Sequence, residues 1–493
     1  MSCAGVLFLT ALLIPAPQQS SRFNVEGDFA YKELLSNPTA EGITLSVMPR
    51  VDLDLYVEYG LDSGGLNSRT RMLTAPPGKR CSISIKSLEP GRRYNYRLRY
   101  REVGAAAFGA GEQYSFRTLR ESGSTVRFAF GADSHLYKNW ANDVCSPRPT
   151  GSTAYFRKTI QNIMSWDPDF FITAGDEAMT HCLGCAPCTV DGLYAGANTV
   201  QSIEQARLRY RRIMQPDLYG AMTHSVPFFM ALGNHDGEMA WGGANGFCEH
   251  YDATDPLSES ARLDVLPNPY FTYSGSSTGN YFSFETGDVL IVVIDSHKTI
   301  SDFPMVVEDW TLGQLQLAWL DQTLAASDKR WKVIVSPHII GGQDGANCYY
   351  YGRGGVRSTV DGTPRSAFLG EQDAIHKLMV RHGVQAFLYG HDHVAVAGEK
   401  QNAAGEGEGV HYILGGQLAL NASPWRGEPW FQNEMDWDED GVADYDNGYS
   451  GSRSVGFYRV TVFGKDAMVF EYICSDPDDP AANNTVEFTY TIM

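Results

Sequence analysis

The 493-residue sequence predicts an α/β unit preceded by an all-β sandwich. Three observations carry that expectation. Residues 22–120 read as short segments of alternating apolar and polar residues set between turns. From residue 124 onward, apolar strands that end in Gly, Asp and His alternate with helical stretches. The chain is also about twice the length at which one hydrophobic core stops growing, which calls for more than one folding unit. Its net charge of -19 and pI near 5.0 repel nucleic-acid phosphates, so a duplex partner is not expected.

Residues 1–20, MSCAGVLFLTALLIPAPQQS, carry an apolar run from Ala4 to Ile14 that is too short for a bilayer but suits the core of a signal peptide. Export to an extracellular or periplasmic space is therefore expected, with a frayed apolar terminus as the alternative. No later segment reads as membrane-spanning. In the sandwich region the strands are GITLSVMP, LDLYVEYG, CSISIKSL, YNYRLRYREV and YSFRTL. In the second unit, 124–493, they are VRFAFGAD, DFFITAGD, PFFMALGNHD, VLIVVIDS, KVIVSPH and AFLYGHDH, nearly all apolar and hence buried on both faces. TAYFRKTIQNIMSW and LGQLQLAWLDQTLAA are the helices between them, and residues 455–493 add the strands FYRVTVFG, AMVFEYIC and VEFTYTI.

Five of these strands finish on metal-competent side chains: Asp133 and His135 in GADSH, Asp176 in AGDE, Asn234 and His235 in GNHD, His338 in VSPH, and His391 and His393 in GHDH. Each segment alone is weak, because a GD pair is common in turns and a lone His is more often a hydrogen-bonded structural residue. The ordered set is different, since neighbouring buried strands deliver their C-terminal ends to one edge of an α/β sheet, where ligands gather. Carboxylate, amide and imidazole donors together suit Zn, Mn or Fe, and the set contains no Cys.

In this order the motifs resemble those of the calcineurin-like metallophosphoesterase superfamily: DxH, GDxx, GNH followed by an acid, a lone His, and GHxH, spanning 126–393. LEPGRRYNYRLRY and YSFRT resemble the later strands of a fibronectin type III module, with Leu88, Tyr94 and Tyr96 facing inward. A sandwich of that kind ahead of the motifs is similar to the purple acid phosphatase branch. The chain departs from that branch at His135, where the branch has Gly, and at Met179, where it has a Tyr iron ligand.

The resemblance implies a four-layer α/β/β/α sandwich holding two divalent or transition ions, Fe, Zn or Mn. Asp133, His135, Asp176 and His393 would hold one, and Asp176, Asn234, His338 and His391 the other, with Asp176 shared. It further implies that a bridging hydroxide attacks phosphorus. His235 would protonate the leaving oxygen and Asp236 would orient its imidazole, with strand-end capping as the alternative for Asp236. The implied reaction is hydrolysis of a small phosphate monoester. A phosphodiesterase of nucleotide or phospholipid type is the close alternative, and a non-catalytic secreted binding or matrix protein is a reading of another class.

Removing Cys3 with the leader leaves eight of nine cysteines, an even number that fits an oxidising compartment. Cys182, Cys185 and Cys188 follow the second motif, and Cys145, Cys248 and Cys348 lie in the loops after motifs one, three and four. Disulfides that staple those loops are expected, connectivity open, with Cys81 and Cys474 as an interdomain pair. A zinc site completed by His181 is the alternative for the triplet. In the acidic segment 436–447, Asp436, Asp438, Asp440 and Asp444 match ligand positions of a calcium loop, with Asn447 in place of the usual Glu. A structural calcium and a solvated acidic loop stand as equal readings. Arg353 and Arg357, in the Gly- and Tyr-rich loop after His338, are candidates for bidentate contact with phosphate, and incidental exposed arginines are the alternative.

Overall fold

A computed structural model describes residues 27–136, 153–178, 188–190, 194–196, 203–233, 236, 261–269, 271–273, 276–278, 280–295, 312–338, 359–360, 363–364, 371–391, 393–401, 406–419, 450–452 and 454–493. The N-terminal part is all β. One antiparallel sheet joins β1 (Phe29–Thr39), β2 (Gly42–Pro49) and β6 (Cys81–Lys86). The facing sheet joins β3 (Leu53–Leu61), β4 (Ser68–Arg69), β5 (Leu73–Ala75), β7 (Arg93–Glu102) and β8 (Gly109–Arg117). On β6 the period of two is plain: Ile83 and Ile85 are buried while Ser82, Ser84 and Lys86 face solvent. Leu35, Leu45, Val57, Tyr96 and Phe116 meet between the sheets, and Leu88 and Tyr94 join them as expected.

The rest is built on two further sheets. The first runs in the order β13 (Phe228–Met230), β10 (Phe170–Thr173), β9 (Thr125–Gly131), β25 (Gly456–Phe463), β26 (Ala467–Cys474), β27 (Val486–Ile492). The second runs β16 (Phe282–Thr286), β17 (Val289–Val293), β18 (Trp331–Val335), β21 (Ala386–Tyr389), β23 (Gly407–Gly415), β22 (Ala395–Gln401), β24 (Ser450–Ser452). Among the described residues three short hairpins, β11 (Cys188–Val190) with β12 (Tyr194–Gly196), β14 (Phe271–Tyr273) with β15 (Ser276–Thr278), and β19 (Thr359–Val360) with β20 (Thr363–Pro364), complete the strands.

Alternation along the central strands sorts side chains into layers. Phe170 and Ile172 point between the two large sheets, where they meet Phe128, Phe130, Ile291, Val333 and Leu388. Phe171, between them in sequence, points outward and is covered by helices α1 (Thr153–Trp166), α2 (Ile203–Ile213), α3 (Gly220–Thr223) and α4 (residues 261–265) through Phe156, Ile160, Tyr210, Met222 and Val265. On the far side, Trp319 and Leu320 of α5 (Gly313–Ala326) and Ile375 and Met379 of α6 (Glu371–His382) cover Val292, Ile334 and Phe387. The result is helices, sheet, sheet, helices: the four layers expected.

The N-terminal sandwich is packed into the second unit. Ala30, Tyr31, Leu34 and Met48 belong to the same buried cluster as α1 to α3. Tyr31 donates to the Val265 carbonyl at 3.0 Å, Tyr96 donates to the His224 carbonyl at 2.6 Å, and the Tyr114 ring stacks on His224 with centroids 4.0 Å apart. The expected Cys81–Cys474 pair is not formed. Cys81 is held in register with Val47 in the sandwich and Cys474 with Gly456 in the six-stranded sheet, and both thiols are free. Burial, then the charge of Glu487, pushes the Cys474 thiol up to about 11, which makes it a poor nucleophile. Among the described residues no helix is long and apolar enough to cross a membrane.

Candidate metal centre

The ends of five strands converge. β9, β10 and β13 run parallel in the first sheet, so Asp133 and His135, then Asp176, then Asp236 leave that sheet at the same edge. β18 and β21 run parallel in the second sheet and deliver His338, His391 and His393. The two edges meet: His393 Nε2 lies 3.2 Å from His135 Nε2 and 3.7 Å from Asp133 Oδ1. His135 Nε2 is also 3.3 Å from Asp176 Oδ2 and 3.6 Å from Asp133 Oδ1. The donor atoms of Asp133, His135 and His393 all lie within 4.8 Å of one another, and the three residues are buried. Beside them the rings of His338 and His391 stand 4.1 Å apart, and the His391 amide donates to Asp133 Oδ2 at 2.8 Å.

Backbone conformation marks the same residues. Asp133, His135, Asp176, His391 and His393 have φ of 53°, 45°, 60°, 85° and 60°. Non-glycine residues in this left-handed region cost on the order of 1–3 kcal/mol each, and they persist where surrounding contacts over-determine them, as at binding sites. The glycines of the motifs serve the same close approach. A Cβ on Gly233 would fall 2.0 Å from Asp176 Oδ1, and Gly175, at φ +103°, would place one 2.3 Å from the Gly233 nitrogen.

The donor set fits a metal. Buried carboxylates this close together are costly unless positive charge is supplied, and a cation held among two carboxylates and two imidazoles supplies it. Oxygen and imidazole nitrogen donors without thiolate suit a divalent ion of the zinc, manganese or iron kind.

Of the two roles expected for Asp236, the described contacts are those of strand-end capping. Its Oδ1 accepts from the amides of Glu177 (2.9 Å) and Ala178 (2.8 Å), and its Oδ2 from those of Asp176 (2.8 Å) and Gly233 (2.9 Å). Four backbone donors on one fully buried carboxylate make it a clamp of the loop that presents Asp176; the His235 ring lies outside the described residues. Burial and the neighbouring Asp176 charge push it up to about 8, while the Ala178 and Gly233 amides pull it down. Sequence reading also missed Glu177, which is fully buried behind Asp176 and accepts from Ser134 and from Thr173. Burial pushes its carboxyl up to about 7, against the pull of those hydroxyls. The signal was present in the alternation of GADSH and AGDE, which turns Ser134 and Glu177 away from the ligands.

Residues 126–395 match the family model described as calcineurin-like phosphoesterase, more than half of the chain. The chain belongs to that family. This phosphoesterase also matches solved structures. It aligns with "PhoD" over 97% of its own length and 91% of that chain, at TM-score 0.65 and 15% identity. It aligns with the purple acid phosphatase PPD1 from yellow lupin (Lupinus luteus) seeds over 93% of its length and 73% of that chain, at TM-score 0.59 and 16% identity. At those identities the likeness is one of fold. No curated protein matches.

Several expected residues of the phosphoesterase lie outside the described residues: Asn234 and His235, Arg353 and Arg357, the acidic loop with Asp436, Asp438, Asp440 and Asp444, and Cys145, Cys182, Cys185, Cys248 and Cys348, as well as the leader 1–20. Cys188 opens β11, a two-stranded hairpin with β12.

Proposed function

We propose that this phosphoesterase is an exported two-metal enzyme that hydrolyses small phosphate monoesters. The observation that supports it most is the meeting of Asp133, His135, Asp176 and His393 from two sheets, with the His338 and His391 rings close beside them. Asp133, His135, Asp176 and His393 would hold one divalent ion and Asp176, Asn234, His338 and His391 the other. Such a pair lowers the pKa of water and clamps phosphoryl oxygens. The protein's own part is to aim the donors: the His391 amide fixes one oxygen of Asp133, and Asp236 fixes the backbone of Asp176. His235 would give a proton to the leaving oxygen. Met179 stands where the purple acid phosphatase branch has its Tyr iron ligand, which removes the donor that fixes a ferric ion there, and carboxylate and imidazole donors suit zinc, manganese or iron.

The test is elemental analysis of the purified protein together with turnover of p-nitrophenyl phosphate and bis(p-nitrophenyl) phosphate in zinc, manganese and iron. Two ions per chain with faster monoester turnover is the expected result. Faster diester turnover would move the assignment to a phosphodiesterase. Two bound ions with turnover of neither ester would overturn both and leave a binding protein on a metal-bearing scaffold.

A further inference from the structure

Alternate side chains of the two ligand-bearing loops turn away from the metal centre, and there they meet one another. Ser134 sits between Asp133 and His135, and its hydroxyl donates to Oε2 of Glu177, the residue after Asp176. Oε1 of Glu177 accepts from the Thr173 hydroxyl at 2.5 Å, and that hydroxyl also receives the Gly175 amide at 3.2 Å. The Glu177 amide donates to Asp236 at 2.9 Å. Glu177 is therefore tied to the loop after β9, to the end of β10 and to the clamp after β13. It has no exposed surface, so it does not reach substrate. The fully buried Tyr219 hydroxyl stands beside the same carboxylate and Ser134.

Two backbone bonds already join the loops, Asp133 N to Gly175 O and His135 N to Asp176 O, both at 3.0 Å. They fix the spacing of the chains, and Asp236 holds the amides of Asp176 and Glu177. The side-chain tie from Glu177 to Ser134 adds a link from the Asp176 loop to the residue between Asp133 and His135. We propose that Glu177 is a positioning residue of the metal centre: through Ser134 and Thr173 it holds Asp133, His135 and Asp176 in the left-handed conformations that aim their donors together. This rests on the reading that those three residues bind metal. Partners behind the ligands are worth about 10- to 100-fold in metal affinity where they have been removed from other sites.

The experiment compares the full chain with Glu177→Ala, Glu177→Gln and Ser134→Ala. Each is loaded with zinc and titrated with a graded chelator, with kcat and KM for p-nitrophenyl phosphate measured in parallel. Glu177→Ala should weaken zinc binding by about tenfold or more. Ser134→Ala should move affinity in the same direction. Glu177→Gln keeps one acceptor for Thr173 and offers a donor to Ser134, and it should restore most of the affinity. Wild-type zinc affinity in Glu177→Ala would overturn the proposal, and so would zinc loss in Glu177→Ala with none in Ser134→Ala. If Glu177→Ala does not fold, Ser134→Ala decides: unchanged affinity there overturns the proposal. A wild-type protein that holds zinc but turns over no ester would refute the phosphoesterase reading while leaving this comparison intact.

Discussion

Replacing Asp236 with Asn removes one acceptor from a buried site built around two. Each carboxylate oxygen of Asp236 receives two amides, Glu177 and Ala178 on one, Asp176 and Gly233 on the other. An Asn side chain has one carbonyl oxygen, so in either orientation its NH2 faces two backbone donors that lose their acceptor. A buried donor left unsatisfied costs about 1–3 kcal/mol, so the pair costs ~2–6 kcal/mol. Burying a neutral amide costs less than burying a carboxylate, which places the expected loss in the lower half, ~2–4 kcal/mol. Urea denaturation at pH 7.5, with midpoint and slope fitted separately, reads this directly. Metal content should fall with stability, because the amides that lose their acceptor are either those of Asp176 and Gly233 or those of Glu177 and Ala178 just after Asp176. A variant that unfolds within about 0.5 kcal/mol of the parent and keeps its metal would refute the clamp.

Asp176→Asn should cost both ions and with them turnover, whereas His235→Ala should lower kcat by about 10²- to 10⁴-fold with metal content near normal; equal metal loss in the two would contradict the division of roles. Glu33 gives a pH signature. Burial raises its carboxyl from 4.5 to about 7, so the folded state holds the proton more tightly than the unfolded chain. Its contribution to stability is then full below about 4.5 and declines as pH rises through about 7, by ~3 kcal/mol in all. Glu33→Gln should be more stable than the parent at pH 8 and similar at pH 4; an unaltered difference between the two pH values in the variant would dismiss Glu33 as the source. Tyr31→Phe removes the hydroxyl that donates to the Val265 carbonyl across the sandwich contact and should lower stability by about 1–3 kcal/mol, measured by the same denaturation.

Much of the fold was legible because burial writes itself into periodicity. TAYFRKTIQNIMSW is α1 from end to end, and DFFITAGD contains β10 with Asp176 just beyond its end. The convergence of the ligands was legible for the same reason: each motif follows an apolar strand, and parallel strands share an edge. The contacts of Asp236 were legible only as the capping alternative, because its described partners are backbone amides, which every sequence possesses. Nothing in GNHD distinguishes a carboxylate that faces a histidine ring from one that turns back onto its own loops. Glu177 was passed over because a carboxylate after a GD pair reads as exposed, although the alternation in GADSH and AGDE already set it and Ser134 apart from the ligands. The free thiols of Cys81 and Cys474 show the limit of counting: an even number of cysteines says nothing about which strands carry them within bonding distance.

The left-handed backbone at Asp133, His135, Asp176, His391 and His393 also restricts how this centre can be altered. Asp, Asn and His are the side chains most enriched at positive φ after glycine, so the positions favour their present occupants twice, once for the donor atom and once for the torsion. An engineer wishing to retune the ion by introducing Glu or Cys there would meet conformational cost before any coordination chemistry began. His338 has no such torsion, and among the described ligand positions it is where donor exchange can be tried on chemical grounds alone.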